Sequence, residues 1–382
     1  MTSRRNFLAS AAVGTTLAGV GFGGLTASAQ STTTSDPTKS AKASAESLPK
    51  NPETEKFRPT YKYGMGGAPL SHADAERPNS AILETVEGAW DMGTRYFDTS
   101  PWYNLGLGER RFGVFLHDKP RQEYVISTKV GRILHPDASV GRVAAWQNPP
   151  PMRHEYDYTA DGVRRSIEDS LQRMGTSYLD IVFIHDLCPS NGDFTGDDYE
   201  TYYRQATEGA MPELTRMRDE GIIKAWGLGV NTLDPSTRAF EVADPDIILQ
   251  ACKYSLIDHQ DTIERLFPLA DRTGASVVVG SPLNNGFLTG RNRYNYGPGF
   301  PEGALDKRAR LNRIAIEQGV DIRTAALQFA AAPKTVSAII PGARSYRQAI
   351  ENAQSMRETI PAAFWQQLKS EGLISELAAT PA

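Results

Sequence analysis

Cysteine is scarce in this chain. Only two cysteines, Cys188 and Cys252, occur among its 382 residues. So small a number excludes a scaffold held together by disulfides and a zinc site built from four thiolates. We therefore expect both cysteines to be ordinary packed or surface thiols, and we expect no metal site.

An excess of charge of one sign is also absent. The chain has 41 lysines and arginines against 45 acidic residues, a net charge of −4 and a pI near 5.9. Binding to a phosphate backbone needs a strongly basic face, so nucleic acid is not expected as a partner. Hydrophobic residues at 40% and charged residues at 23% are typical of a globular protein.

The N-terminal segment lacks charge over a long stretch. No charged residue occurs from residue 6 to residue 35, whereas Arg4 and Arg5 stand directly before it, followed by Phe-Leu. The stretch is rich in alanine, glycine and threonine and contains a small-residue Ala-Ser-Ala sequence that ends at Ala29. This is the order of a cleavable signal peptide, and the paired arginines resemble a twin-arginine export signal. We predict such a signal peptide over residues 1–29, cleaved after Ala29.

This interpretation predicts an exported, periplasmic protein whose partner during export is the twin-arginine machinery. An uncleaved membrane anchor and a basic N-terminus that arose by chance are the alternatives, but glycine and threonine make a poor membrane span. No stable span is therefore expected after cleavage. Residues 30–56 are rich in Ser, Thr, Pro, Lys and Glu and contain no aromatic residue, which predicts a flexible linker.

From residue 57 onward, short apolar runs alternate with amphipathic helices. Eight strands are predicted, near Tyr63–Gly67 and over Tyr96–Asp98, Tyr124–Lys129, Leu179–His185, Ile222–Val230, Ile247–Gln250, Ala275–Gly280 and Ser337–Ile340. Helices are predicted between them, over residues 79–92, about 163–174, 202–219, 235–242, 262–273, 305–318, 323–331 and 345–356. Strands that alternate with helices indicate a parallel sheet.

Eight such units in about 320 residues fit a closed (β/α)8 TIM barrel, so residues 57–382 are predicted to form one barrel domain. An open, doubly wound α/β sheet is the alternative. That fold commonly carries a Gly-x-Gly-x-x-Gly turn after its first strand when it binds a dinucleotide, and no such spacing occurs here.

Four polar residues stand at or just after consecutive predicted strand ends, where barrel enzymes place their catalytic groups. They are Asp98, Tyr103, Lys129 and His185. A lysine beside a tyrosine lowers the phenol pKa, a carboxylate holds the lysine, and a histidine orients a carbonyl oxygen. Each residue alone has a structural explanation, such as a helix cap or a packed core group, but together they are the types needed for acid/base chemistry at a carbonyl carbon.

Four sequence blocks carry a family resemblance: FDTSPWY at residues 97–103, GE at 108–109, STKV at 127–130 and DIVFIH at 180–185. They resemble the signature blocks of the aldo-keto reductase superfamily, in the same order, over about residues 60–360. The first strand and residues 227–231 look most similar to the bacterial branch of D-threo-aldose or L-fucose 1-dehydrogenases and pyridoxal dehydrogenases. The resemblance implies a TIM barrel, a nicotinamide cofactor and a catalytic Asp/Tyr/Lys/His tetrad at the positions named above.

The same resemblance implies where the cofactor binds. The nicotinamide carboxamide is expected at Asn231 and Gln250, and the pyrophosphate at Ser281, Leu283 and Gly286. The adenosine end is expected at Gly342, Arg344, Gln348, Glu351 and Asn352. A helix N-terminus there offers free N–H groups to phosphate, and the Arg344 guanidinium suits a 2′-phosphate. We therefore favour NADP, with NAD as the alternative.

Two aromatic residues, Trp102 and Trp146, are predicted to contact the substrate, because long loops at the mouth of a barrel set substrate choice. Ordinary packing against the rim is the alternative. The predicted function is NAD(P)(H)-dependent hydride transfer to or from a carbonyl or alcohol carbon of an aldehyde, ketone or sugar, with tyrosine as general acid/base. Alternatives are an aldose 1-dehydrogenase that oxidises a sugar to its lactone, and a non-catalytic nucleotide-binding barrel.

Overall fold

The computed structural model describes residues 43–71, 78–140, 146, 148–297 and 299–381. The predicted signal peptide and the first part of the predicted linker lie outside these residues. Within the described part of the chain, no helix is long and apolar enough to cross a membrane.

Eight parallel strands form a nearly closed barrel, and two further strands form an antiparallel hairpin. The described strands are β1 Met65–Gly66, β2 Tyr96–Asp98, β3 Val125–Val130, β4 Arg132–Pro136, β5 Met152–Tyr156, β6 Ile181–His185, β7 Ala225–Val230, β8 Ile247–Ala251, β9 Ser276–Gly280 and β10 Val336–Ile340. The barrel order is β1-β2-β3-β6-β7-β8-β9-β10, and β4 pairs with β5. Gly64 N donates to Ile339 O at 2.8 Å, and Ile339 N donates to Lys62 O at 3.0 Å, which joins the first strand to the last. The predicted (β/α)8 barrel is confirmed.

Helices surround the barrel and follow nearly every strand. In the described residues they are α1 Asn79–Asp91, α2 Leu107–Leu116, α3 Ala160–Met174, α4 Asp198–Gln205, α5 Met211–Asp219, α6 Leu233–Val242, α7 Phe267–Thr273, α8 Ala304–Glu317, α9 Ile322–Ala331, α10 Tyr346–Ser355 and α11 Ala362–Ser370. The α3 helix shows how the sequence sets its ends. Thr159 caps it by accepting from Gly162 N, and Gly175 ends it with a φ of 64°.

The core has two layers because side chains alternate along each strand. Inward-facing residues such as Phe183, Ala225 and Leu249 fill the barrel. Their neighbours Val182, Trp226 and Ile248 belong instead to the large cluster that includes the helices. The C-terminal ends of the barrel strands meet at one end of the barrel, which we call its mouth. The alternation of side chains determines which residues near these ends can face the mouth.

The segment 43–56 differs from the predicted flexible linker, because its described residues pack against the barrel. Leu48 is 2% exposed and belongs to the main core, and Asn51 Nδ2 donates to Ser337 O at 2.6 Å. Composition alone indicated a linker, but the buried leucine and several hydrogen bonds to the barrel attach this segment, which we call the N-terminal strap.

The hairpin β4–β5 lies between Lys129 and the helix predicted from about residue 163, a stretch in which the sequence predicted no helix or strand. Gly131 precedes it with a φ of 108°, and a Cβ at this position would lie 2.2 Å from the Tyr158 ring. Only glycine fits both the conformation and the space, so Gly131 lets the chain turn directly from β3 into β4. The turn places Arg132, the first residue of β4, beside His185 at the mouth of the barrel.

Candidate active site

The structure brings the four predicted catalytic residues together at the C-terminal end of the barrel. Asp98 is the last residue of β2, Lys129 lies in β3, and His185 ends β6. Tyr103 lies in the turn before α2. Parallel strands end at the same edge of a barrel, so residues far apart in sequence meet here.

Asp98 and Lys129 form a buried ion pair. The Lys129 Nζ lies 2.8 Å and 3.0 Å from the two Asp98 carboxylate oxygens, and 2.7 Å from Thr99 O. Both side chains are 2% exposed, and Ser127 Oγ donates to Asp98 Oδ1 at 2.7 Å. Burial raises the pKa of Asp98, although Lys129 opposes that rise. The three donors of the ammonium therefore have acceptors, as a buried charge requires.

The lysine does not have the expected effect on Tyr103. Lys129 Nζ lies 4.6 Å from the centre of the Tyr103 ring, and its hydrogen bonds go to Asp98 and Thr99. Burial raises the pKa of Tyr103 well above its ordinary value, Asp98 and Asp186 add to the rise, and Arg132 opposes it. The expected lowering of the phenol pKa is therefore wrong for this structure, and the phenol is protonated at neutral pH.

His185 is held on one side by two donors. Its Nδ1 lies 3.0 Å from Ser100 Oγ and 3.2 Å from Arg132 Nη1. A guanidinium can only donate, so Nδ1 accepts and the ring proton is on Nε2. Burial lowers the pKa of His185 well below its ordinary value, with Arg132 and Lys129 adding to the effect. A neutral imidazole with Nε2 as donor therefore stands edge to face with Tyr103, with ring centres 5.9 Å apart.

Arg132 is a site residue that the sequence analysis missed. It is 4% exposed, and its guanidinium lies over the rings of Trp102 and Tyr156 at 4.7 and 4.9 Å. It pairs with Asp186 Oδ2 at 3.1 Å. A signal was available in the sequence, since Arg132 follows Lys129 by three residues, but no pattern distinguished it from an arginine on the surface of this stretch.

The two tryptophans predicted to contact the substrate lie beside the tetrad. Trp102 and Trp146 pack edge to face with ring centres 6.0 Å apart, and Trp146 lies 6.2 Å from Tyr103. His154 from β5 packs on Trp102 at 4.8 Å. These rings form an aromatic wall next to the phenol of Tyr103, and their contact with a substrate stays a prediction.

The two predicted carboxamide ligands occupy different surroundings. Asn231 is half-buried after β7, and its Nδ2 donates to Asp186 Oδ1 at 3.3 Å. Gln250 is fully buried. It accepts from Ser236 Oγ of α6 at 3.0 Å and donates to Val230 O at 3.2 Å. Because the flanking residues of β8 face the barrel interior, Gln250 faces the helix layer, and the structure does not support its predicted place in the cleft.

The predicted pyrophosphate residues lie in the loop after β9. Ser281, Leu283 and Gly286 are all half-buried, and Ser281 and Gly286 have φ values of 54° and 86°. The Ser281 hydroxyl lies 2.9 Å from the Tyr296 hydroxyl. The loop after β9 therefore carries both the polar Ser281 hydroxyl and the aromatic ring of Tyr296.

The predicted adenosine residues cluster at the start of α10. Gly342, Arg344 and Gln348 are exposed, and Gln348 Oε1 accepts from Arg344 N at 2.9 Å. Asn352 is buried below them and donates to Gly342 O at 3.4 Å. Glu351 is half-buried. An exposed helix N-terminus with arginine beside it fits a phosphate-bearing ligand.

The Glu351 carboxylate is already paired within the protein. It accepts from Arg323 at 2.5 Å and from Arg347 at 2.7 Å. In the predicted adenine contact, Glu351 would therefore use a carboxylate that already accepts hydrogen bonds from two arginines. This arrangement also keeps two cations near the start of α10.

Together these residues fit a nicotinamide dinucleotide. Polar loops after β7 and β9, and a helix N-terminus after β10, all lie at the tetrad's end of the barrel. Because the tetrad itself has no redox group, a redox reaction at this site would need the cofactor to exchange the hydride with the substrate carbon, while the protein gives or takes the proton.

The comparison with protein families gives one match. The model of the aldo/keto reductase family matches residues 62–371. This range contains all eight barrel strands. The match therefore covers the tetrad and the loops described above.

Individual relatives agree with this match. The chain is 33% identical over 321 residues to a D-threo-aldose 1-dehydrogenase from Pseudomonas sp, covering 81% of this chain and 94% of the relative. It is 37% identical over 331 residues to a pyridoxal 4-dehydrogenase from Microbacterium luteolum, covering 82% and 94%.

A solved structure of similar fold is the holo form of an aldo-keto reductase from Bacillus halodurans. It superposes with a TM-score of 0.63 at 22% identity, covering 87% of this chain and 97% of the other. That likeness supports the barrel fold. From the family model and the two dehydrogenases, the chain belongs to the aldo/keto reductase family, whose members carry out NAD(P)-dependent oxidoreduction.

Proposed function

We propose that this protein transfers hydride between a nicotinamide cofactor and a carbonyl or alcohol carbon of an aldehyde, ketone or sugar. The observation that carries the proposal is the gathering of Asp98, Tyr103, Lys129 and His185 at one end of the barrel, with Asp98 and Lys129 joined at 2.8 Å. When bound, the cofactor supplies or accepts the hydride at the reacting carbon.

The protein's residues handle the substrate oxygen and its proton. The protonated Tyr103 phenol gives a proton to the oxygen in the reducing direction and takes it back in the oxidising direction. The neutral His185 ring donates from Nε2 and orients the same oxygen. Lys129 places a positive charge beside the ring of Tyr103 at 4.6 Å, which stabilises negative charge as it develops in the transition state. Asp98 holds that lysine in place.

A second candidate is the oxidation of a sugar at C1 to its lactone. The two relatives at 33% and 37% identity are a sugar 1-dehydrogenase and another dehydrogenase, and the wall formed by Trp102 and Trp146 suits the apolar face of a sugar ring. In this direction Tyr103 must lose its proton before it acts, and its raised pKa disfavours that loss. Rates with aldoses plus oxidised cofactor, compared with aldehydes plus reduced cofactor, separate the two candidates.

NADP is the proposed cofactor because arginines surround the start of α10. Arg344 is exposed there, Arg347 lies in the first turn of α10 and Arg323 lies near the start of α9, and both Arg347 and Arg323 pair with Glu351. A guanidinium fork binds a 2′-phosphate in bidentate geometry. Mass spectrometry of nucleotide released from native protein distinguishes NADP from NAD, and Arg344→Ala is expected to weaken NADP binding more than NAD binding.

We also propose that the protein is exported as a folded, cofactor-loaded enzyme. The support is the charge-free stretch after Arg4 and Arg5 and the small-residue site at Ala29. Replacing both arginines by lysine is expected to leave the precursor in the cytoplasm, as seen by fractionation and immunoblotting. Mature protein that still reaches the periplasm would refute export by this route, and exported protein without bound nucleotide would refute loading before export.

The test of the catalytic proposal is Tyr103→Phe, with Tyr61→Phe as the matched control at the opposite end of the barrel. The first variant removes only the phenol oxygen and is expected to lower turnover by about a hundredfold or more, while the control retains wild-type turnover. Wild-type turnover by Tyr103→Phe would refute the mechanism. Cofactor binding without turnover on any carbonyl or sugar would instead favour the non-catalytic barrel.

A further inference from the structure

Arg132 is buried at the mouth of the barrel, and among the described residues its guanidinium contacts groups that themselves belong to the site. Its Nε and Nη2 donate to the Tyr156 hydroxyl at 3.2 and 2.9 Å. Its Nη1 contacts His185 Nδ1 at 3.2 Å and Asp186 Oδ2 at 3.1 Å. All three nitrogens thus have partners in the protein, so Arg132 acts on a substrate through its neighbours.

The contact with Nδ1 determines which nitrogen of His185 carries the proton. Arg132 has no acceptor to offer, and Ser100 reinforces the same assignment. Ser100 Oγ accepts from Trp102 N at 3.0 Å, which leaves its own proton to donate to Nδ1 at 3.0 Å. Two donors directed at one nitrogen leave Nε2 as the protonated atom.

The Asp186 carboxylate pairs with Arg132 and also contacts Asn231, so it links Arg132 to the predicted cofactor side of the site. Asp186 Oδ1 accepts from Asn231 Nδ2 at 3.3 Å, while Oδ2 faces Arg132. Asp186 has a φ of 46°, a conformation that costs energy in a residue other than glycine. Its backbone is fixed by a bond from its N to Gly229 O at 2.9 Å and one from Asn191 Nδ2 to its O at 3.1 Å.

From this geometry we infer that Arg132 and Asp186 are positioning residues for the reaction. Arg132 fixes His185 in the tautomer that donates from Nε2 to the substrate oxygen, and Asp186 orients Asn231 toward the nicotinamide end of the cofactor. One ion pair thereby aligns the substrate and cofactor halves of the site. The roles in turnover rest on the proposed function, whereas the tautomer of His185 is measurable without it.

The groups around His185 make the first effect observable as a change in titration. The charged and titratable groups that face His185 are Tyr103, Lys129, Arg132, Asp186 and Tyr158. The Tyr158 hydroxyl donates to His185 O at 2.9 Å. Burial, Arg132 and Lys129 all lower the pKa of His185. Removing Arg132 leaves Asp186, 3.5 Å from Nε2, without its counter-charge, so the ring gains affinity for a second proton.

The first experiment is nitrogen NMR of the full-length mature protein labelled at histidine, with His185 assigned by His185→Gln. In wild-type protein we expect an unprotonated Nδ1, a protonated Nε2 and a pKa of His185 well below its ordinary value. Arg132→Met is expected to raise the pKa of His185 above its wild-type value, whereas Arg132→Lys retains a charge and a donor and is expected to preserve the wild-type tautomer. Arg153→Met, on the adjacent strand of the hairpin, is the control.

Unchanged tautomer and titration of His185 in Arg132→Met would overturn the inference for Arg132. If that variant does not fold, Ser100→Ala removes the other donor to Nδ1, and Arg132→Lys still reports on the geometry. A wild-type protein in which His185 carries its proton on Nδ1 would also overturn the inference for Arg132.

The second experiment separates the two roles kinetically. Arg132→Met is expected to lower kcat about tenfold or more and to add an acidic limb to its pH profile, with little change in cofactor Kd. Asp186→Asn is expected to weaken cofactor binding about tenfold. Unaltered cofactor affinity in Asp186→Asn would overturn its role. Wild-type protein without turnover would refute the proposed function alone, because the NMR result and the cofactor Kd remain measurable.

Discussion

The side chains at the mouth of the barrel satisfy one another's charges before any ligand binds. Lys129 directs its donors at Asp98 and Thr99 O, and Arg132 pairs with Asp186. A buried charge is costly unless it is paired and hydrogen-bonded, so these contacts stabilise the folded state as well as orient the site. Removing one partner therefore has a structural and a chemical consequence.

Asp98→Asn is expected to lower both stability and activity. The amide leaves the Lys129 ammonium buried without a counter-charge, at a cost of about 3 kcal/mol in the free energy of unfolding. Urea unfolding measures that loss, with Asp118→Asn on the surface as the control. The double variant Asp98→Asn with Lys129→Met is expected to regain stability and remain inactive. Equal stability of the wild type and the single variant would contradict the pairing.

His259 makes stability depend on pH away from the active site. Burial lowers its pKa from 6.5 to about 4, with Lys307 adding to the effect. The ring is 5% exposed, its Nδ1 bonds to Ser255 O at 2.9 Å, and its Nε2 accepts from Ser375 N at 3.1 Å. Both contacts suit the neutral ring, and the folded state resists protonation.

Because the unfolded chain binds this proton more readily, the contribution of His259 is complete above pH 6.5 and is lost as the pH falls toward 4. We expect about 2 kcal/mol of this contribution to disappear between pH 7.5 and pH 5. Unfolding of wild type and His259→Gln at both pH values measures it, and the exposed His117→Gln serves as control. The same pH dependence in the wild type and His259→Gln would contradict the assignment.

At the scale of elements, the apolar runs predicted the barrel strands well. Each of the eight predicted strands overlaps an observed one, although β7 begins at Ala225 rather than at Ile222. The hairpin β4–β5 was missed because β4 is only five residues long with three buried residues in a row, and β5 is mostly polar with no buried residue, so neither strand shows hydrophobic alternation. Helix α2 was missed because Gly108 and Gly113 stand in its sequence, and both pack too closely for a larger residue.

The N-terminal strap was also beyond prediction from composition, and its attachment is testable. Leu48→Ala is expected to destabilise the protein by about 2 to 4 kcal/mol, because Leu48 is buried in the main core. Limited proteolysis is expected to cut the strap faster in this variant than in wild type. The neighbouring Ser47→Ala is the milder control, and an unchanged midpoint of unfolding in Leu48→Ala would mean that the strap does not contribute to the core.

At the scale of the whole molecule, the tetrad could be predicted because a barrel brings the ends of all its strands together. The side-chain direction within a strand was harder to predict. Gln250 lies at the correct end of β8 but faces α6, since its neighbours fill the interior. The direction of the pKa shift of Tyr103 was likewise set by burial and by Asp98 and Asp186, which no sequence pattern reports.

The proposed role of the tetrad in hydride transfer between a substrate carbon and nicotinamide can be tested by following the hydride itself. Purified protein would be mixed with oxidised NADP or NAD and with aldoses carrying deuterium at C1, and the reduced nucleotide analysed by mass spectrometry. Deuterium should appear in the nucleotide with wild-type protein and with Tyr61→Phe, and be nearly absent with Tyr103→Phe. Label transfer that is equally fast with Tyr103→Phe, or nucleotide binding with no transfer from or to any aldose, aldehyde or ketone, would contradict the account.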